Sequence, residues 1–320
     1  MVRYWKYTKA FFKLIRIQNV LIIALTMYFL RWLVVIPLLG NLYFEPQLTE
    51  TEFFLLVLAT MAIAAAGYVI NDYFDRKTDL INRPGTVILG RILSLRAGIF
   101  WHTTLTFTGI ALGILLSYKL GNIRLGIVFI AMSGLLWFYS TTYKSQVLIG
   151  NLMVALMVAA VPLIVLLFEL PFVHKKYGIF IEMVPTDIGL MTAWILGYAL
   201  FAFLLTLIRE IVKDIEDFEG DAAFGRNTIP IAWGTSVAQS IVVFLLSATT
   251  IIIVAALYKF RWSTVTLIYG TLLIVLPVIY TGYLVLKAKH KNDYHRASQF
   301  LKIIMLSGLL FNLVARYKIF

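Results

Sequence analysis

The sequence predicts an all-α polytopic membrane protein, with nine transmembrane helices. Three observations point there. Of the 320 residues 61% are hydrophobic and 14% charged, with a mean hydropathy of +0.89. Apolar runs long enough to cross a hydrocarbon layer of about 30 Å follow one another along the chain. And nine of the 16 acidic residues fall in two short clusters, Asp72–Asp79 and Glu210–Asp221, each closing an apolar run. Charges are costly inside a bilayer, so residues gathered in this way usually serve a function.

The runs fall at 17–39, 53–71, 97–118, 123–141, 147–168, 188–208, 236–258, 263–286 and 298–315. Met1–Arg16, ahead of the first, is basic and aromatic, and no small-residue cleavage site follows; a cleavable signal is not expected. The longer connections are 40–52, 72–96, 169–187, 209–235 and 287–297, and Pro230 with Gly234 allows a separate short helix within 228–240. The chain reads as one transmembrane domain, 1–320, with its two acidic motifs at 71–84 and 209–230.

Positive residues set the orientation. With the N-terminus cytoplasmic, the inside segments hold 19 of the 28 lysines and arginines. The N-terminal segment and the 287–302 connection supply ten of them. An integral multi-pass protein of the cell (inner) membrane, N-terminus inside, is expected. The two acidic clusters follow the second and sixth runs, four crossings apart, so both are expected on the cytoplasmic face.

Other function classes drop out. The absence of cysteine excludes disulfides, thiolate metal sites and cysteine nucleophiles. A net charge of +12 could suggest nucleic acid, but continuous apolar runs and 15% aromatic content point to topology instead. The four histidines, His102, His174, His290 and His295, share no metal-ligand spacing.

Within the clusters, Asp72, Asp75 and Asp79 repeat the spacing of Asp214, Asp217 and Asp221. Offsets of 0, 3 and 7 stand at about 0°, 300° and 340° around a helix, so each triad forms one stripe. Facing carboxylates repel unless cations neutralise them. Mg²⁺ suits them: it takes oxygen ligands and is often held by a few carboxylates together with substrate phosphates. Arg76, Lys77 and Arg83 beside the first stripe, Arg209, Lys213 and Arg226 beside the second, and Lys144 at the end of the fourth run would complete a clamp for a diphosphate. Glu216 and Glu219 lie off the second stripe, solvated or paired with Lys213 or Arg226. A solvated membrane boundary would explain one acidic cluster; it does not explain two with matched spacing.

The stretch Asn71-Asp72-Tyr73-Phe74-Asp75-Arg76-Lys77-Thr78-Asp79, with Asn82-Arg83-Pro84 after it, resembles the first aspartate signature of the UbiA superfamily of intramembrane prenyltransferases. Arg209 to Asp221, trailed by Gly225-Arg226-Asn227-Thr228-Ile229-Pro230, resembles the second. The resemblance implies a mechanism as well as a fold. Asp72, Asp75, Asp79, Asp214, Asp217 and Asp221, with Asn71, would hold Mg²⁺ and a prenyl diphosphate, and the isoprenoid tail would lie in an apolar tunnel. Ionisation gives an allylic cation that the acceptor attacks. Arg83 and Lys144 would contact the diphosphate, as would Arg209 and Lys213, and Tyr139 would face the cation. Arg16 and Asn19 resemble a first-helix pair lining the acceptor side.

The form of the second motif is most like the branch that joins a geranylgeranyl group to geranylgeranylglyceryl phosphate, a lipid-like acceptor. An aromatic acid of a quinone pathway, such as 4-hydroxybenzoate or homogentisate, is the alternative. A divalent-cation transporter fits less well, because its site would lie near mid-membrane and not among basic residues at span ends. Asn151 is polar within a span and is a further candidate for the cavity lining. Arg31, within the first run, has no partner evident in the sequence. Prenyl chain length and oligomeric state stay open.

Overall fold

A computed structural model describes residues 2–183, 185–259 and 263–319. Among these, nine helices are long and apolar enough to cross a membrane: Ile17–Asn41, Glu50–Asn82, Leu95–Lys119, Ile123–Thr141, Ile149–Glu182, Ile188–Glu216, Thr235–Lys259, Thr264–Lys287 and Lys291–Ala315. They are numbered here as the first to ninth spans. The protein is an integral multi-pass membrane protein.

The spans occur in the expected order, but several outrun their apolar segments. The second starts at a capping box, in which the Thr49 side chain accepts from the Glu52 N–H while the Glu52 carboxylate accepts from the Thr49 N–H. It then continues 11 residues beyond the predicted run to Asn82. No helix breaker intervenes before Pro84, and the residue before a proline is excluded from helical geometry; Arg83 accordingly leaves the helix at φ −147°. The first aspartate motif therefore lies on a helix and not in a connection. The sixth span likewise carries the second motif as far as Glu216. Hydropathy sees where polar residues begin, whereas a helix ends only where its backbone is interrupted.

Two spans contain a wider, π-helical turn, Arg31–Val35 in the first and Thr271–Val275 in the eighth. Each lies just ahead of a proline, Pro37 or Pro277. A proline ring crowds the carbonyl four residues back, here Leu33 or Leu273, and the extra residue in the turn relieves that clash. Short helices at Val2–Leu14, Phe218–Ala223 and Ile229–Trp233 complete the set. The last is the separate piece allowed for 228–240; it stops at Gly234, whose φ of +87° suits glycine.

The chain forms two compact units. One comprises Met1–Met27, Leu48–Gln146 and Glu219–Gly225. In it the third span packs closely over glycines: a Cβ on Gly109 would stand 3.0 Å from the Ala59 carbonyl oxygen of the second span, and the Phe129 ring of the fourth fills the space over Gly113. Small residues of this kind let membrane helices pack backbone to backbone. The N-terminal helix docks through Ala10 and Leu14 onto Ala65, Val69 and Leu89, with Phe11 against Trp101.

The other unit comprises Tyr28–Gln47, Val147–Phe218 and Arg226–Phe320. Its core gathers Ile208, Ile211 and Ile215 of the sixth span with Val242, Val278, Leu301 and Ile304. Several polar groups inside it are paired, which lowers the cost of burying them in an apolar environment: Trp194 donates to Asn312 at 3.0 Å and the Tyr198 hydroxyl donates to the Gly308 carbonyl at 2.9 Å. Arg31, for which the sequence suggested no partner, stands 3.6 Å from Glu169, each side chain only 3% exposed. Glu169 also accepts the Gln47 N–H.

Candidate active site

The first motif sits on the last three turns of the second span, within the first unit. Asp75 is buried, while Asn71, Asp72 and Asp79 are half-buried. The Asn71 amide donates to Asp75 at 2.8 Å. Lys144, brought in by the 3₁₀ turn Tyr143–Ser145 after the fourth span, donates to Asn71 Oδ1 at 2.8 Å and also to Asp75. Its ammonium group lies 5.8 Å from the Tyr139 ring centroid, within cation–π range. Four residues proposed from sequence, Asn71, Asp75, Tyr139 and Lys144, thus form one group.

Arg16 joins the same stripe from the turn between the N-terminal helix and the first span. Its backbone takes φ +49°. Its guanidinium reaches Asp72 Oδ1 at 2.8 Å and lies 5.0 Å from the Tyr68 ring centroid. Partial burial works against the Arg16 charge, but the neighbouring Asp72 carboxylate outweighs it and holds the guanidinium above its ordinary value. Asn19 follows with its side chain exposed and its N–H bonded to the Arg16 carbonyl at 2.8 Å.

Beyond Asp79 the helix ends on Asn82, which is buried and accepts the Gly220 N–H at 3.0 Å. In the sequence Asn82 reads only as part of the trailing Asn82-Arg83-Pro84, with no contact assigned to it. Its offset of ten residues from Asp72 stands at about 280°, on the same face as the aspartates, and that was the signal available. Asp221, the last acid of the second motif, is buried in this unit beside Gly220. Arg83 caps the helix, its N–H bonded to the Asp79 carbonyl at 2.8 Å.

The rest of the second motif belongs to the other unit. Asp214 accepts from the Asn151 amide at 2.7 Å, so the polar residue of the fifth span is a partner of the motif. Glu210 pairs with Lys213 at 2.9 Å and with Arg209 at 3.2 Å. Asp217 is half-buried at the helix end, its N–H on the Lys213 carbonyl at 2.8 Å. Glu216, expected to be solvated or paired with Lys213 or Arg226, is not solvated. It is buried and bonds His295 Nδ1 at 3.0 Å, which gives one of the histidines a structural role.

The donor set is oxygen-only, as a hard divalent cation prefers. Among the described residues no three acids or histidines close around a point to form a cage by themselves. Lys144 and Arg16 instead place positive charge directly on Asp75 and Asp72. A stripe that attracts cations without enclosing one fits an ion shared with a ligand's own oxygens.

Carboxylates and basic side chains arrayed on a span end of a polytopic α-helical protein define an intramembrane enzyme acting on a polyanionic substrate. The chain belongs to the UbiA prenyltransferase family, which it matches over residues 20–304, and it is a prenyltransferase. It is 33% identical over 251 residues to the digeranylgeranylglyceryl phosphate synthase of Methanosphaera stadtmanae, covering 78% of this chain and 82% of that one. The fold is similar to a solved digeranylgeranylglyceryl phosphate synthase, with a TM-score of 0.63 at 23% identity and all of both chains covered. It is also similar to a UbiA homologue of Archaeoglobus fulgidus bound to DMAPP and Mg²⁺, with a TM-score of 0.54 at 14% identity over 95% of this chain and 99% of that one.

Proposed function

We propose that the protein transfers a geranylgeranyl group from its diphosphate to the free hydroxyl of geranylgeranylglyceryl phosphate, making an ether lipid. The observation that carries prenyl-diphosphate chemistry is the group formed by Lys144 with Asn71 and Asp75 under Tyr139. The acceptor assignment draws on the relative's name and on the form of the second motif.

In this scheme Asp72, Asp75, Asp79, Asp214, Asp217 and Asp221 would hold Mg²⁺, and 1–320 is one prenyltransferase domain. Bound Mg²⁺ would neutralise charge building on the departing diphosphate. Lys144 and Arg83 bind diphosphate oxygens with charge-assisted hydrogen bonds, with Arg209 and Lys213 contributing from the second motif. The bond between the prenyl C1 and its diphosphate oxygen breaks, and the electron pair leaves with diphosphate. Tyr139 presents its ring to the allylic carbon as positive charge develops there. The acceptor oxygen bonds to C1 and gives up its proton, with Arg16 and Asn19 lining the acceptor side. The reaction takes place at the cytoplasmic face of the cell membrane, with the N-terminus inside.

Purified protein offered geranylgeranyl diphosphate with each acceptor in turn tests the assignment. Ether formation with geranylgeranylglyceryl phosphate is expected. Prenylation of 4-hydroxybenzoate or homogentisate without ether formation would replace the acceptor. Divalent-cation flux in liposomes without any transfer would overturn the reading altogether.

A further inference from the structure

We infer that Asn82 is a positioning residue that seats Asp221, the last carboxylate of the second motif, beside the first motif by gripping the backbone of Gly220. The inference rests on the proposed prenyl transfer for its functional consequence, although the contact itself does not. Asn82 is the final residue of the second span and shares the helix face of Asp72, Asp75 and Asp79. Its Oδ1 accepts the Gly220 N–H at 3.0 Å, 138 residues away in sequence. Both residues are buried, as is Asp221. All three belong to the same compact unit, which Glu219–Gly225 enters as an isolated stretch of chain.

A second observation makes the contact specific. A Cβ added to Gly220 would lie 2.5 Å from both Cγ and Nδ2 of Asn82, closer than such atoms approach. The asparagine side chain fills the volume that any other residue at position 220 would need. A side chain at position 220 would therefore displace Asn82, and glycine leaves the backbone bare at the point where Asn82 takes hold. Asp221 follows immediately, so its carboxylate is held within one residue of the anchored amide. A six-residue helix, Phe218–Ala223, is too short to be stable by itself, and the Asn82 bond is one of the contacts that place it. A ligand supported by a fixed neighbour binds metal more tightly than one on a loose segment, and losing such support typically costs about 10–100-fold in affinity.

The test combines two readouts independent of turnover with one that depends on it. Hydrogen–deuterium exchange over 218–223 reports the grip directly. Mn²⁺ binding in the presence of inorganic diphosphate, followed by electron paramagnetic resonance, reports the metal site. The Mg²⁺ concentration that half-activates prenyl transfer reports the consequence. Asn82→Ala is expected to lose exchange protection in this segment and to weaken Mn²⁺ binding about tenfold, while kcat at saturating Mg²⁺ changes far less. Asn82→Asp keeps the accepting oxygen and should keep the protection. Gly220→Ala should reproduce Asn82→Ala, and the double variant should be no worse than the worse single one. Wild-type exchange and Mn²⁺ affinity in Asn82→Ala, or losses that multiply in the double variant, would overturn the inference. If Asn82→Ala does not fold, Gly220→Ala compared with Asn82→Asp decides the matter in the same way. Wild-type protein without prenyl transfer would count against the proposed function and leave the exchange result standing.

Discussion

Lys144 and Arg16 neutralise neighbouring aspartates in different surroundings, and the difference predicts which substitutions unfold the protein and which only silence it. The Lys144–Asp75 pair is largely buried, with side chains 21% and 7% exposed. Removing one partner of a buried pair costs about 3–5 kcal/mol, somewhat less where one end reaches solvent. Arg16 and Asp72 are 40% and 22% exposed, and pairs in contact with solvent contribute about 0–1 kcal/mol. Lys144→Met should therefore lower the melting temperature clearly, whereas Asp72→Ala should melt close to wild type; thermal unfolding in detergent without divalent cation measures both. Equal melting temperatures would mean that Asp75 does not depend on Lys144. The aspartate triads were legible in the sequence because their spacing repeats. Their partners were legible only where a motif sits beside them. The Glu169 partner of Arg31, the Gly220 amide on Asn82 and the His295 ring on Glu216 are all remote in sequence, and no periodicity connects them.

At the scale of elements, the spans were legible as nine apolar runs, but their ends were not. Hydropathy stops at the first carboxylate, while the second span carries its helical geometry through the first acidic motif to Asn82 and the sixth carries it into the second as far as Glu216. That extension matters for function, since it fixes Asp72, Asp75, Asp79 and Asp214 to helical backbone. Outside the motifs, the buried Arg31–Glu169 pair joins the π turn of the first span to the fifth span, and Glu169 also holds the backbone of Gln47. Arg31→Met or Glu169→Leu alone should destabilise the protein by about 3–5 kcal/mol. Arg31→Met with Glu169→Leu should recover much of that loss, because no charge is left buried without its partner. Unfolding curves for the two single variants and the double variant give the coupling, and strictly additive losses would mean that the pair makes no net contact.

For the whole molecule, topology and chemistry can be tested together because the chain contains no cysteine. Single cysteines introduced at Thr8 and at Asn292 should react with a membrane-impermeant maleimide only in inside-out vesicles, and one at Gly121 only in right-side-out cells. The reverse pattern would invert the orientation. The charge asymmetry from which the orientation is proposed is visible in the sequence. The acceptor was legible only by resemblance, because no spacing in the sequence marks the side chains that would meet it.

The measurement that bears most directly on the account is transfer of labelled geranylgeranyl from its diphosphate to geranylgeranylglyceryl phosphate by the wild-type, Asp72→Ala and Asp217→Ala proteins, each shown to be folded. The wild-type protein should form the ether with Mg²⁺ and not with EDTA, and neither variant should form it under either condition. Transfer that persists in Asp72→Ala or Asp217→Ala, or that proceeds in EDTA, would contradict the claim that both aspartate motifs hold the cation that carries the diphosphate.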